Sequence, residues 1–448
     1  MKKEMLQFAS VFVGCVVMLF AMSGQARAES NSVLIAEATA PAVAAPPAAP
    51  VESEAAKEAM NADSESDEEE SEPEEPKFKY GGWIETGTWG NEYGNDSTVE
   101  NGDPLGSNIY NEGWHVQQLW LYTAREADNG GSGFDWGFRL DAMFGTEAGI
   151  LQSYAGGGFI DGDWSTSGDG YGFALPQAYL EMAMNRWTFK FGKFETIMGY
   201  EDIQAPDKLF YSHTYAYNHE PATHSGGLAE FAWNENVNFL FGVTTGADGS
   251  FHNEFGDVGL LGGVELQLTE KLNFSYAMMW NSVHAGDERE EYPGSWDSII
   301  GAELASHEDG REMLHSFVLE WNITERLTYA WQFNYGWAKF AVDGADFDKL
   351  YEQIAIVNYL TYQWTERMTL GARFEWFRQN DMGVSAHQNC YAFSGAAKYQ
   401  LCKNLHVVGE LRYDEICGSG DYEGYSMFGA DGAEKGQFSY GCSFVAEF

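Results

Sequence analysis

The chain has 448 residues, with 68 acidic side chains against 25 basic ones and a formal net charge of −43. That balance excludes nucleic acid as a partner, because phosphate binding needs clustered Lys and Arg. Aromatic residues reach 15% and Pro is scarce at 11, and no stretch beyond Ala28 approaches the ~20 apolar residues of a membrane helix.

The first residues read as an export signal. Lys2 and Lys3 supply positive charge, Phe8 to Met22 form an uncharged apolar run, and Ala26-Arg27-Ala28 places small residues where a signal peptidase reads. Cleavage is expected after Ala28, making residues 1–28 a signal peptide. The run is too short for a comfortable membrane span. Cys15, behind Phe12-Val13-Gly14, is a poorer lipoprotein-type site. Residues 29–76 begin rich in Ala and Pro and end acidic, with Asp67-Glu68-Glu69-Glu70. They contain no aromatic residue and little else to bury, so a disordered periplasmic linker is expected. A plain spacer is favoured over a cell-wall tether.

From Lys77 the texture changes to alternation. Trp136, Phe138 and Leu140 interleave with Asp135, Gly137, Arg139 and Asp141, the period of two that marks a strand. A Gly- and Asp-rich stretch from Gly145 to Tyr171 follows as a long loop.

The segment from Gly192 to Gly226 is the most distinctive. It reads Gly-Lys-Phe-Glu-Thr-Ile-Met-Gly-Tyr-Glu at 192–201, then Ala205-Pro206, Phe210-Tyr211-Ser212-His213, Glu220-Pro221 and Thr223-His224-Ser225-Gly226. This pattern resembles the OmpL-like β-barrel porin family, in which a strand ending Gly-Tyr-Glu leads into such a loop. The resemblance is dense over this segment; elsewhere it rests on strand and turn pattern. It implies a transmembrane barrel with a porin's role. Independently, this is the third long loop, and in general porins the third loop folds inward. Tyr200, Phe210, Tyr211, Tyr215 and Tyr217 suit an interior position. The expected constriction sets Glu201, Asp202, Asp207 and Glu220, with Tyr211 and His213, against basic wall residues. Arg139, Lys190, Arg373, Lys398 and Arg412 all fall on the polar phase of their strands. Opposed charges there would create a transverse field and tune selectivity; ordinary ion pairing in the lumen is the plainer reading. His213, His219 and His224 suggest a metal site, but their spacing forces no convergence. Structural histidines, with no metal or cofactor, are expected.

The later strands repeat the alternation. Leu272, Phe274, Tyr276, Met278 and Trp280 form one apolar face, and Leu327 to Trp337 carries six large residues at every second position. Met368 to Trp376 and Leu405 to Tyr413 do the same. Twelve residues with one small, polar face exceed the ~5–6 of a sandwich strand and fit lipid outside with water inside. Tight turns recur at 233–236, 269–271, 322–326, 365–367 and 402–404. Long loops, such as Gly383 to Asn389, occupy the other ends. The last strand alternates from Phe438 to a C-terminal Phe448, a terminal aromatic that resembles the signal read by barrel-assembly machinery.

The expected fold is therefore all-β: a transmembrane antiparallel β-barrel of about sixteen strands over residues 77–448. It would stand in the outer membrane, lipid-bound, with its N-terminal linker in the periplasm. Passive diffusion of small hydrophilic solutes or ions is the expected function, with a cation preference hinted by the acidic excess. The alternative is a non-conducting structural or surface-binding barrel. A homotrimer is usual among general porins, though no subunit interface is legible. No Gly-x-Ser-x-Gly elbow, phosphate loop or His-Glu-x-x-His motif is present, so an enzyme is not expected. Four cysteines lie in the last quarter. Cys390 and Cys417 stand thirteen and fourteen residues from the Lys403 turn, so a disulfide between them is weighed evenly against free thiols.

Overall fold

The computed structural model describes residues 78–94, 113–153, 164, 170–251, 257–283, 310–342, 345–380, 387–419, 428–429 and 434–448. The expected signal peptide and linker lie outside the described residues. Strand β1 (Lys79–Asn91) pairs with β2 (His115–Arg125) on one side and with β17 (Gly436–Glu447) on the other, which closes the sheet on itself. Between them run β3 (Phe134–Gly145), β4 (Gly172–Ala174), β5 (Ala178–Met184), β6 (Trp187–Glu195), β7 (Thr223–Asn234) and β8 (Val237–Thr244). Then come β9 (Val258–Thr269), β10 (Leu272–Val283), β11 (Gly310–Thr324), β12 (Leu327–Val342) and β13 (Ala345–Thr365). β14 (Met368–Asn380), β15 (His387–Cys402) and β16 (Leu405–Ser419) complete the circuit. All pairings are antiparallel and between neighbours.

β4 and β5 both pair with β3. Pro176 lies between them and cannot donate to a ladder, while Asp141 N donates to Gln177 O at 2.8 Å and bridges the gap. Taken as one interrupted stave, they leave sixteen staves in the barrel. One-turn helices α1 (Ala148–Leu151) and α2 (Tyr215–Asn218) sit in the connections after β3 and β6.

The short turns share a chemistry. The side-chain oxygens of Thr269, Thr324 and Thr365 accept from the backbone N–H two residues on, at 3.2, 3.2 and 3.3 Å. Asn234 does the same for Asn236 at 2.8 Å. Such side chains mimic a backbone turn and stop the strand. A further two-residue turn, at Asn185-Arg186, joins β5 to β6, and Asn185 tolerates its φ of +55°.

Outward positions are apolar, as with Trp136, Leu180, Phe241 and Phe393. Near the short turns they become a girdle of Trp233, Trp321, Tyr362 and Trp364, all exposed. That is the aromatic belt of a membrane barrel. Inward positions are mostly small, polar or charged, except on β8 to β11, where Leu240, Leu261, Met279 and Leu314 are buried inward.

Two expectations need correction. The loop expected to run to Asn389 ends earlier, because β15 begins at His387. The disulfide is also displaced. At the turn Cys402 faces Leu405, a register that would set Cys390 opposite Cys417. A bulge between Gln400 and Cys402 slips the register by one, so Cys390 faces Ile416 and Cys417 faces Asn389. A one-residue slip turns a side chain to the other face. Cys390 is buried inward, Cys417 lies 3.8 Å from Glu415 on the opposite face, and both are free.

Candidate functional site

The connection from Thr196 to Ala222 leaves and re-enters the sheet at one point. β6 and β7 stay paired to Glu195↔Thr223, and Thr196 N donates to Ala222 O at 3.0 Å across the neck. At Gly199 the backbone takes φ +83°, and a Cβ there would lie 2.2 Å from Glu220 Oε2. A side chain would be strained twice over, by conformation and by contact.

From the neck this strap reaches inward-facing residues on many staves. Gly199 N donates to Ser316 on β11 at 3.1 Å, and Tyr200 N to Gln332 on β12 at 3.1 Å. A few residues on, Gln118 of β2 donates to Ile203 O at 2.8 Å and accepts from Ala205 N at 3.2 Å. β2 and β11 stand half-way round the barrel from each other. Ser212 N and Oγ donate to Glu410 of β16 at 2.8 and 2.7 Å. Tyr215 N and Ala216 N donate to Glu375 of β14 at 2.8 and 2.7 Å. Here a carboxylate meets the exposed N–H groups at the start of α2, whose first turn is also capped by Thr214 Oγ1 accepting from Tyr217 N.

The acids named from the sequence take separate roles. Glu201 contacts His213 Nδ1 at 2.5 Å and Arg373 at 3.4 Å, and accepts from Thr214. Burial works against its charge, but His213, Arg373 and Thr214 prevail and hold its carboxyl at about 2. Glu220 meets no base. Gln332 and Asn334 donate to it, and burial pushes its carboxyl up to about 8. Asp202 and Asp207 are exposed at the strap's edge, within electrostatic reach of Lys398. Tyr211 is buried with its ring edge against Trp89 of β1, centroids 5.8 Å apart.

The named bases divide as well. Arg373 donates to Ser212 O and Oγ at 2.9 and 2.8 Å, pairs with Glu410 at 3.3 Å and lies over the Phe210 ring. Arg412 donates to Ser212 Oγ and His213 O, but its carboxylate partner is Asp414 on its own strand, at 2.8 Å. Lys398 donates to Pro206 O. Arg139 pairs with Asp141 at 2.9 Å and Lys190 with Glu230 at 3.1 Å, both wall acids. Arg373 thus makes a salt bridge with the strap, Arg412 and Lys398 donate to its backbone, and Arg139 and Lys190 pair within the wall. Charges of both signs stand on both sides, which is not the segregated arrangement the sequence suggested.

Several site residues escaped the sequence reading. Lys208, in the strap, pairs with Glu147 at 3.3 Å and Glu85 at 3.5 Å. Burial disfavours its charge, yet Glu147 and Glu85 raise its affinity for the proton. Glu147 is held at about 2: burial opposes its charge, and Lys208 and His213 overcome it. Glu85, Glu375 and Glu410 sit on the polar phase of their strands and were legible in principle. Glu147 lies beyond the end of β3, where no periodicity points to it. The histidines are dispersed: His219 Nδ1 contacts Tyr215 O at 2.8 Å, and His224 contacts Thr196 at 3.2 Å.

The family described as "Putative beta-barrel porin-2, OmpL-like" matches residues 77–448. No curated protein matches. Among solved structures, the trimer form of OmpT from Vibrio cholerae aligns at TM-score 0.52 and 13% identity, over 83% of this chain and 99% of that one. An anion-selective porin from Comamonas acidovorans aligns at 0.53 and 11%, over 83% and 99%. The outer membrane channel DcaP of Acinetobacter baumannii aligns at 0.53 and 12%, over 83% and 97%. At these identities the likeness is one of fold.

Proposed function

Since this chain belongs to the OmpL-like family of β-barrel porins, we propose that it passes small hydrophilic solutes or ions passively across the outer membrane, through a lumen narrowed by the strap from Thr196 to Ala222. The observation that carries this reading is the strap's reach between opposite staves, from Gln118 on β2 to Ser316 on β11. The polar and charged side chains on most inward faces support an aqueous path through the barrel. Cation preference is part of the proposal, because the chain is strongly acidic and carboxylate rings favour cations. The lipid-facing girdle supports an outer-membrane setting. A homotrimer, recognition of Phe448 by assembly machinery and a periplasmic linker complete it.

The test is conductance of the purified, heat-modifiable protein in planar bilayers under a salt gradient. Current steps with a cation-selective reversal potential are expected. Current that reverses with anion selectivity would remove the charge reading, and folded protein that never conducts under any treatment would remove the porin reading.

A further inference from the structure

Residues 210–225 are all buried except Asn218. A strap that merely edges an open channel has one wet face, and its side chains alternate between wall and water. Here the half from Phe210 to Ala222 is covered on both faces, largely by groups on the barrel wall, while Asp202 and Asp207 keep an exposed edge. On the side of β13 to β16 the cover is polar: Gln353 donates to His219 O at 3.2 Å, and Glu375, Arg373 and Glu410 hold Ser212 to Ala216. On the side of β3 to β6, Gln204 donates to Glu195 at 3.1 Å, and Gln177 links Glu195 to Asp141 at 3.0 and 3.2 Å. On the side of β7 to β11 the inward face is apolar. Leu240, Leu261, Met279 and Leu314 form a buried cluster with Phe194 and Met198. Inward Leu and Met on four neighbouring strands are out of place beside water, and in place beneath a plug.

The ionic contacts join into one series. Glu85, Lys208, Glu147, His213, Glu201, Arg373 and Glu410 follow one another at 3.5, 3.3, 3.7, 2.5, 3.4 and 3.3 Å. Wall and strap residues alternate along most of it, so it fastens the strap to β1, the end of β3, β14 and β16. Nearly every member is buried, where unmaking a pair leaves a bare charge.

We infer that the strap closes the lumen in the resting protein, as a plug clamped by this ionic series, and that conduction requires its release. This rests on the porin reading and adds a closed ground state to it. The neck allows the movement: Thr196 and Ala222 are already bonded, so residues 200–219 can swing out or be removed without parting β6 from β7.

The experiment compares three proteins in planar bilayers, each first shown to be folded by heat-modifiable migration. They are the wild type, an excision of residues 200–219 with a short Gly-Ser bridge from Gly199 to Glu220, and Arg373→Ala. The excised barrel is expected to pass steady ohmic current, at least ~10-fold above the wild type's mean current at the same protein load. Arg373→Ala is expected to open intermittently, and it keeps the test alive should the excised chain fail to fold. Wild-type steps as large and as lasting as those of the excised barrel would overturn the plug while leaving the porin reading intact. Silence from folded excised barrels would overturn the porin reading itself, and the plug with it.

Discussion

At the residue scale, Glu201 and Glu220 show two fates for a buried carboxylate. Glu201 has His213, Arg373 and Thr214 around it and stays ionised. Glu220 has only amides and is raised to about 8 from an ordinary 4.5. The signs follow from linkage. A depressed acid stabilises the docked strap above its free value, and that support fades for Glu201 as pH falls from 4.5 toward 2. A raised acid does the reverse: for Glu220, docking weakens as pH climbs from 4.5 to 8. Burial lowers His219 to about 4, so docking also weakens as pH falls from 6.5 to 4. Protection of the amides of residues 211–217, as exchange relative to the intrinsic rate at each pH, should therefore be greatest between these limbs. Glu220→Gln should slow exchange near pH 8 by about tenfold or more and leave the acid limb in place. Unchanged exchange at pH 8 in that variant would show that Glu220 does not ionise against the strap.

At the element scale, turns and bulges set what faces what. Each Thr-Glu-Arg or Thr-Glu-Lys turn uses a threonine oxygen to end its strand, and Thr→Val at 269, 324 or 365 should cost roughly 0.5–1.5 kcal/mol by loss of one hydrogen bond. The comparison is a shift in urea midpoint for refolded barrels. The bulge before Cys402 has a larger consequence. It places Cys390 and Cys417 on opposite faces of adjacent strands, and their Cβ vectors diverge. Mass spectrometry of unreduced protein should find no peptide linking the two, even after mild oxidation. A linked peptide would mean that the hairpin keeps the register of its turn. In the last strand, Phe448 N and O exchange hydrogen bonds with Gly82 at 2.9 and 3.0 Å, so the terminal residue completes the seam. Deleting Phe448 should lower the temperature at which the folded band is lost on heating.

At the scale of the whole molecule, a barrel of sixteen staves encloses more space than its own side chains fill. What occupies that space decides between channel, plug and scaffold. The outward girdle and the inward polar faces are common to all three. The strap is the discriminating element. Its conduction test is also a test of the closed state, since a clamp of buried ion pairs is little affected by salt, whereas selectivity in an open vestibule is screened. Current steps in the excised barrel should lose cation selectivity as ionic strength rises, and the low mean current expected of the wild type should not depend on it.

The sequence by itself determined the barrel. Alternation within each strand from Trp136 to Phe448 gives one apolar and one polar face, and the threonine- and asparagine-stopped turns set the hairpins, so class, stave number and inward phase were all legible. It also marked the third long loop by its aromatics and its resemblance to a family. What only the tertiary structure decided was parity and partnership. One extra residue, Leu401, between Gln400 and Cys402 shifts every pairing beyond it in the hairpin, and no composition records it. Lys208 finds Glu147 and Glu85 because an irregular strap brings chain segments together that are far apart in sequence. Glu201 and Glu220 look alike in the sequence and part only in the fold. Periodic structure is written in local pattern, whereas an interior loop takes its contacts from the walls around it.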